Sequence, residues 1–176
     1  PNAGIVELRQ AVAEKYKQEL NLDYDFRTDI VITNGVAEGI YLTISALLNP
    51  GDQVLIPDPS WINYNTVPLT HLIEPVPYSL LIDNEFQPDV DEIESKITSR
   101  TKMIALISPS NPTSIAIKPE ILKKIAALAV KYDLLVLSDE IYEKIVYAPT
   151  VHQSIATLPG MKDRTLILNG FSKFYS

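Results

Sequence analysis

A three-layer αβα architecture with a mostly parallel sheet is predicted by three features of this 176-residue chain. Short, wholly apolar runs alternate with segments of helical periodicity. Gly, Pro, Asn and Asp punctuate the joints between them. Polar clusters follow the apolar runs instead of interrupting them. Runs with no polar face suit strands covered on both sides, and parallel strands need crossovers that lay helices over the sheet.

The elements follow in order. Ile5 to Leu20 carries Val6, Leu8, Arg9, Val12, Ala13 and Tyr16 at helical spacing and is predicted to be a helix. Asp29-Ile30-Val31-Ile32-Thr33 is a short apolar run, read as a strand, ending at Asn34-Gly35. Val36 to Leu48 is a second helix, closed by the turn Asn49-Pro50-Gly51-Asp52. Gln53 to Ile56 is a strand that runs into Pro57-Asp58-Pro59-Ser60, where two prolines oppose regular structure. Trp61 to Leu69 is a helix. Leu72 to Tyr78 is a strand with proline inside, hence an edge or irregular strand. Pro88 to Ile97 is a helix, and Lys102 to Ile107 a continuous apolar strand that ends at Ser108-Pro109-Ser110-Asn111-Pro112-Thr113. Pro119 to Tyr132 is a helix with proline suited to its first turn. Leu134 to Leu137 is a buried-type strand ending at Ser138-Asp139-Glu140, and Thr165 to Leu168 is a last strand ending at Asn169-Gly170.

Composition narrows the function. The formal net charge is -7 and no basic run occurs, which argues against non-specific nucleic-acid binding. The absence of cysteine removes disulfides, thiolate metal sites and a cysteine nucleophile. No metal site is expected. No apolar run approaches the roughly 20 residues that cross a bilayer, and no signal peptide opens the chain. A cytoplasmic, soluble protein is the expectation. The chain opens at Pro1 and closes at Phe174-Tyr175-Ser176, and both ends read as cuts through a longer sequence.

The polar clusters sit beyond strand ends, where open α/β sheets bind ligands. Lysines are in general solvated, but Lys173 follows a buried strand. A held, partly desolvated amine there can condense with an aldehyde. Asp139, also at a strand end, needs a partner. A cationic ring nitrogen would serve as well as a helix cap or an ion pair. Tyr142, three residues on, and Asn111 are candidate donors to a ring oxygen, against a packed tyrosine and a turn-forming asparagine. Gly35-Val36-Ala37 opens a helix whose free N–H groups attract phosphate, although most helix starts bind nothing. Trp61 offers a flat face for stacking, or a core anchor.

Taken in order, these residues resemble the fold-type I pyridoxal-phosphate (PLP) enzymes, and within them the class I and II, aspartate-aminotransferase-like, aminotransferases. The matching blocks are Thr33-Asn34-Gly35 with Glu38, Pro50-Gly51-Asp52-Gln53-Val54 with Pro57-Asp58-Pro59, Asn111-Pro112-Thr113, Ser138-Asp139-Glu140-Ile141-Tyr142 and Asn169-Gly170-Phe171-Ser172-Lys173. His152, Ser154-Ile155-Ala156 and Leu158-Pro159-Gly160-Met161 also fit. The Asp-Glu-Ile-Tyr and Gly-Phe-Ser-Lys blocks, about thirty residues apart and each behind an apolar strand, are specific together.

The resemblance implies roles. Lys173 is the Schiff-base lysine and the base of the 1,3-proton shift. Asp139 pairs with the pyridine nitrogen. Tyr142 and Asn111 bond the ring oxygen, and Trp61 stacks on the ring. Gly35, Val36 and Ala37, with Ser172, take the phosphate. It implies amino transfer between an L-amino acid, aspartate or aromatic, and a 2-oxo acid, by a homodimer in the full-length protein. Residues 1–176 are then a single PLP-binding large domain that stops just after the lysine. An N-terminal arm, a phosphate-binding arginine, a further strand and a C-terminal small domain are expected outside it. Where the family has glycine after Asn111-Pro112-Thr113, this chain has Ser114, so backbone strain is expected there. A carbon–sulfur lyase or a cyclopropane-carboxylate synthase would keep nearly every residue named. The alternative from a different class is the effector domain of an aminotransferase-like transcription regulator, which carries a DNA-binding helix-turn-helix before the domain; a cofactor-free α/β domain would require five accidental matches.

Overall fold

The computed structural model describes residues 2–175; Pro1 and Ser176 lie outside the described residues. Among the described residues there are five α-helices, five strands and three single-turn 3-10 helices; the first two classes are α1 Val6–Leu20, α2 Gly35–Leu47, β1 Gln53–Asp58, α3 Asn63–Thr70, β2 Glu74–Ser79, α4 Val90–Ser95, β3 Thr101–Ile107, α5 Pro119–Lys131, β4 Leu135–Asp139 and β5 Thr165–Leu168. The strands form one sheet in the order β2-β1-β3-β4-β5, and every neighbouring pair is parallel. The expected mostly parallel sheet is therefore wholly parallel among the described residues.

Side-chain alternation along the strands separates two cores. Leu55, Ile104, Leu106 and Val136 point to one face and pack with Leu122, Ile125 and Ala129 of α5 and Ile93 of α4. Val54, Ile56, Met103, Ala105, Ile107 and Leu137 point to the other, against Ile40 and Ile44 of α2 and Tyr64 of α3. The central strand β3 is buried except at Lys102. Each fully buried Ile or Leu contributes about 1.5–3 kcal/mol, so these two layers hold the sheet between its helices.

Local signals set the boundaries. Asn21 takes a left-handed conformation (φ 54°) after α1, and its N–H bonds the Lys17 carbonyl. Gly4 (φ +94°) lies so close to Ile32 that a Cβ there would stand 2.6 Å from the Ile32 Cβ. Asp89 caps α4 by accepting from the N–H groups of Asp91 and Glu92. Pro119 occupies the first turn of α5. The prolines of β2 are accommodated because β2 is an edge strand, as its sequence predicts.

Two expectations need correction. The run Asp29–Thr33 is not a strand. Among the described residues the sheet ends at β5, a cavity lined by both separates this run from that edge strand, and Ile32 donates instead to the Ala3 carbonyl over 3.0 Å. The helix expected over Pro88 to Ile97 is limited to α4, because Asp89 spends its side chain on the cap. The remaining boundaries move by a residue or two.

Candidate active site

The sheet reverses its order of growth between β1 and β3: β2 is added on one side, β4 and β5 on the other. The loops leaving β1 and β3 therefore part at this point and open a crevice beyond the strands' carboxyl ends. Trp61 lies in the segment after β1, Asn111 in the segment after β3, and Asp139 ends β4. Register ties these ends together. Ile107 pairs with Asp139 and Asp139 with Leu168. Ser108 donates to the Asp139 carbonyl over 3.0 Å, and Glu140 donates to that of Leu168 over 2.8 Å.

Asp139 is buried, 3% exposed. Its carboxylate is held at both oxygens. The Tyr64 hydroxyl donates to Oδ2 over 2.8 Å, and the Ile141 N–H donates to Oδ1 over 3.1 Å. Burial pushes its pKa above the usual carboxylate value; the two hydrogen bonds pull it back, and the neighbouring Glu140 charge adds to the rise. Tyr64 is pushed well above the usual phenol value, by burial first and then by the Asp139 charge. Tyr64 therefore stays a donor.

Lys173 is exposed in the turn after β5, a strand that is itself only half-buried, so the expected partial desolvation of its amine is not seen; its Nζ stands 5.6 Å from the centre of the Tyr142 ring. The two residues singled out from opposite blocks of the sequence are thus brought together over one strand's width. Trp61 is half-buried. It packs with Val36 on the core cluster that contains Tyr64, and its carbonyl accepts the Tyr64 N–H over 3.0 Å. Asn111 is half-buried in a turn, and among the described residues no hydrogen bond joins it to Asp139, Tyr142 or Lys173.

The α2 start has no side-chain cap. Asn34, which precedes it, instead donates its N–H to Glu38. Gly35 (φ +76°) has open space where a Cβ would stand. Gly35 and Val36 share with Ser172 the lining of a cavity of about 680 Å³ that runs along β5; Ala37 is not part of that lining. The helix start and the Ser172 hydroxyl therefore face one space, while Asp139, Tyr142 and Lys173 lie outside its lining.

Two features escaped the sequence reading. Tyr64 is one; its position three residues after Trp61 at a helix start was the available signal. The other is Glu140, fully buried beside Asp139. Its Oε1 accepts from Ser138 (2.8 Å) and Ser154 (2.7 Å), and Oε2 lies 3.2 Å from His152 Nε2. Glu140, Glu143 and His152 could offer ligand atoms within 4.8 Å of one another. Both Glu140 oxygens are already engaged, however, and Glu143 Oε1 holds Lys15 at 2.6 Å.

Comparison with known proteins supplies the family. The model of aminotransferase class I and II matches residues 1–176. An aspartate aminotransferase of Pyrococcus abyssi is 40% identical over the whole chain, which spans 45% of that protein. A bifunctional aspartate aminotransferase and glutamate/aspartate-prephenate aminotransferase of Petunia hybrida is 43% identical, and the chain spans 37% of it. Among solved structures, an aromatic aminotransferase from Pyrococcus horikoshii superimposes with a TM-score of 0.95 at 38% identity, covering 98% of this chain and 46% of that one. The chain thus spans less than half the length of these relatives, and over its whole length it belongs to the class I and II aminotransferases.

Proposed function

We propose that the chain is the PLP-binding part of an aminotransferase that moves an amino group between an L-amino acid and a 2-oxo acid. The observation that carries this reading is the buried Asp139 carboxylate, held at a strand end beside the turn that bears Lys173. The residues present fit the cofactor. An uncapped helix start with open space at Gly35 suits a phosphate, and a buried anion suits a cationic ring nitrogen.

When bound, PLP supplies an aldehyde that condenses with amines and a protonated ring that accepts electron density. The chain's residues do the rest. The N–H groups of Val36 and Ala37 and the Ser172 hydroxyl would bind the phosphate; the Gly35 N–H is spent on the Thr33 carbonyl over 2.8 Å, and Gly35 serves the site through the space it leaves. Asp139 holds the proton on the ring nitrogen. Tyr142 and Asn111 donate to the ring oxygen, and Trp61 covers a face of the ring. Lys173 Nζ would be the amine that holds the cofactor's aldehyde and the base that moves the transferred proton. The names of the relatives put aspartate, aromatic and alanine donors within reach. A cytoplasmic location and a homodimer of the full-length protein complete the reading, and both rest on the family likeness. No described helix is long and apolar enough to cross a membrane.

The test is a titration of the chain with PLP, followed by visible absorbance, borohydride reduction and peptide mapping. The expected outcome is a visible absorbance band of a PLP–lysine adduct, with the label on Lys173 and neither in Lys173→Ala. A label on another lysine, or an unchanged band in the variant, would overturn the reading.

A further inference from the structure

One buried phenol is left without a role by the reading above. Tyr64 belongs to the first turn of α3 and is among the largest fully buried side chains. Its ring packs in the core beneath the sheet, yet its hydroxyl is spent on a side chain 75 residues away, the Asp139 carboxylate. The alternative anchor, the Ile141 N–H, reaches only Oδ1 and belongs to the turn that Asp139 itself begins. A carboxylate held by its own turn alone keeps rotational freedom about its last bond. A second donor, fixed to a different element, removes that freedom. Trp61 is one turn earlier in the same segment, and its carbonyl accepts the Tyr64 N–H.

We propose that Tyr64 is a positioning residue: its hydroxyl locks the Asp139 carboxylate in place, so that the turn presenting Trp61 to a cofactor ring also fixes the anion that pairs with that ring's nitrogen. The inference rests on the PLP reading and deepens it. Each Asp139 oxygen accepts one protein hydrogen bond and keeps a lone pair for a cationic N–H. Tyr64 thereby links two contacts on one ligand. Loosening α3 would disturb the stacking face and the carboxylate together.

The experiment uses Tyr64→Phe, which keeps the packed ring and removes only the hydroxyl. Two readouts are taken on the 176-residue chain. The first is the carboxyl ¹³C titration of Asp139 in the absence of PLP, with Glu140, the charged neighbour that also acts on it, followed in parallel. The second is the affinity for PLP. Loss of the hydroxyl is expected to move the Asp139 titration to higher pH. It should also weaken PLP binding about tenfold or more, the usual effect of losing a hydrogen bond to a charged group. If Tyr64→Phe does not fold, 3-fluorotyrosine at position 64 keeps the ring and strengthens the donor; it should move the carboxyl titration to lower pH and leave or improve affinity. An unmoved carboxyl titration would show that no such bond operates and sink the inference. A shifted titration with unchanged PLP affinity would reduce Tyr64 to a structural role and sink it equally. If the unaltered chain takes up no PLP while the carboxyl titration still shifts, the cofactor reading itself has failed, and the positioning role with it; the two failures are told apart by the unaltered chain alone.

Discussion

Ser154 donates its hydroxyl to Glu140 Oε1 over 2.7 Å, and the Ser138 hydroxyl reaches the same oxygen over 2.8 Å. The segment that approaches β5 is thereby fastened to the end of β4 through one buried carboxylate. Removing that carboxylate strands two hydroxyls and the His152 ring, whose Nδ1 is already without a partner. Glu140→Ala is expected to destabilise the chain by about 3 kcal/mol and Ser154→Ala by about 1 kcal/mol, read from urea unfolding midpoints at constant slope. Equal and small effects would show that the carboxylate is dispensable.

Asp139 makes a prediction of opposite sign. Its folded pKa lies above the unfolded one, chiefly through burial. Between the two values the folded chain binds the extra proton. The stability this group contributes is therefore complete below the unfolded pKa, near 4, and is lost as pH rises through the folded one. Without PLP, Asp139→Asn should flatten that part of the stability–pH curve and stabilise the chain by about 1 kcal/mol at neutral pH, at the expense of cofactor binding. Thermal unfolding between pH 4 and pH 7, on the order of that window, checks the sign.

Ser114 occupies a left-handed conformation at φ 61°, which confirms the strain expected from its replacing the family's glycine. Ser114→Gly is expected to stabilise the fold by about 0.5–1 kcal/mol, since its N–H bond to the Ser110 carbonyl needs no side chain. A lower melting temperature in the glycine variant would contradict the assignment of strain.

Arg9 lies buried in α1 and donates through Nη1 to the Phe26 carbonyl over 2.8 Å, closing the loop that leads toward α2. Arg9→Met keeps the stem and leaves that carbonyl unpaired. A loss of about 2 kcal/mol is expected, with faster amide exchange confined to residues around 26 and 27.

What the sequence made legible follows physical lines. β3 and β4 were readable because a strand buried on both faces writes itself as an unbroken apolar run, as in Met103 to Ile107. The edge character of β2 was readable from Pro75 and Pro77. The run at Ile30 to Ile32 was misread for the complementary reason: an apolar run becomes a strand only when a neighbour supplies hydrogen bonds, and neighbours are not local information. The site divides the same way. Asp139, which ends β4, and Tyr142 and Lys173, which follow strands, were legible as candidates from those places alone. Tyr64 does not, because its meaning depends on a carboxylate that only the assembled sheet brings within reach. Glu140 was seen as part of a block, but its burial and its serine partners were not.

The order β2-β1-β3-β4-β5 has a kinetic consequence. Every strand pairing is parallel, so each must wait for an intervening crossover to close, and such long-range pairings form slowly. The bond from Tyr64 to Asp139 closes a larger loop still. The carboxylate can take its final setting only once β1, β3 and β4 stand side by side, so a refolding chain should regain helical signal well before it regains the ability to retain a ligand at Asp139. Binding competence thereby becomes a clock for the last stage of folding.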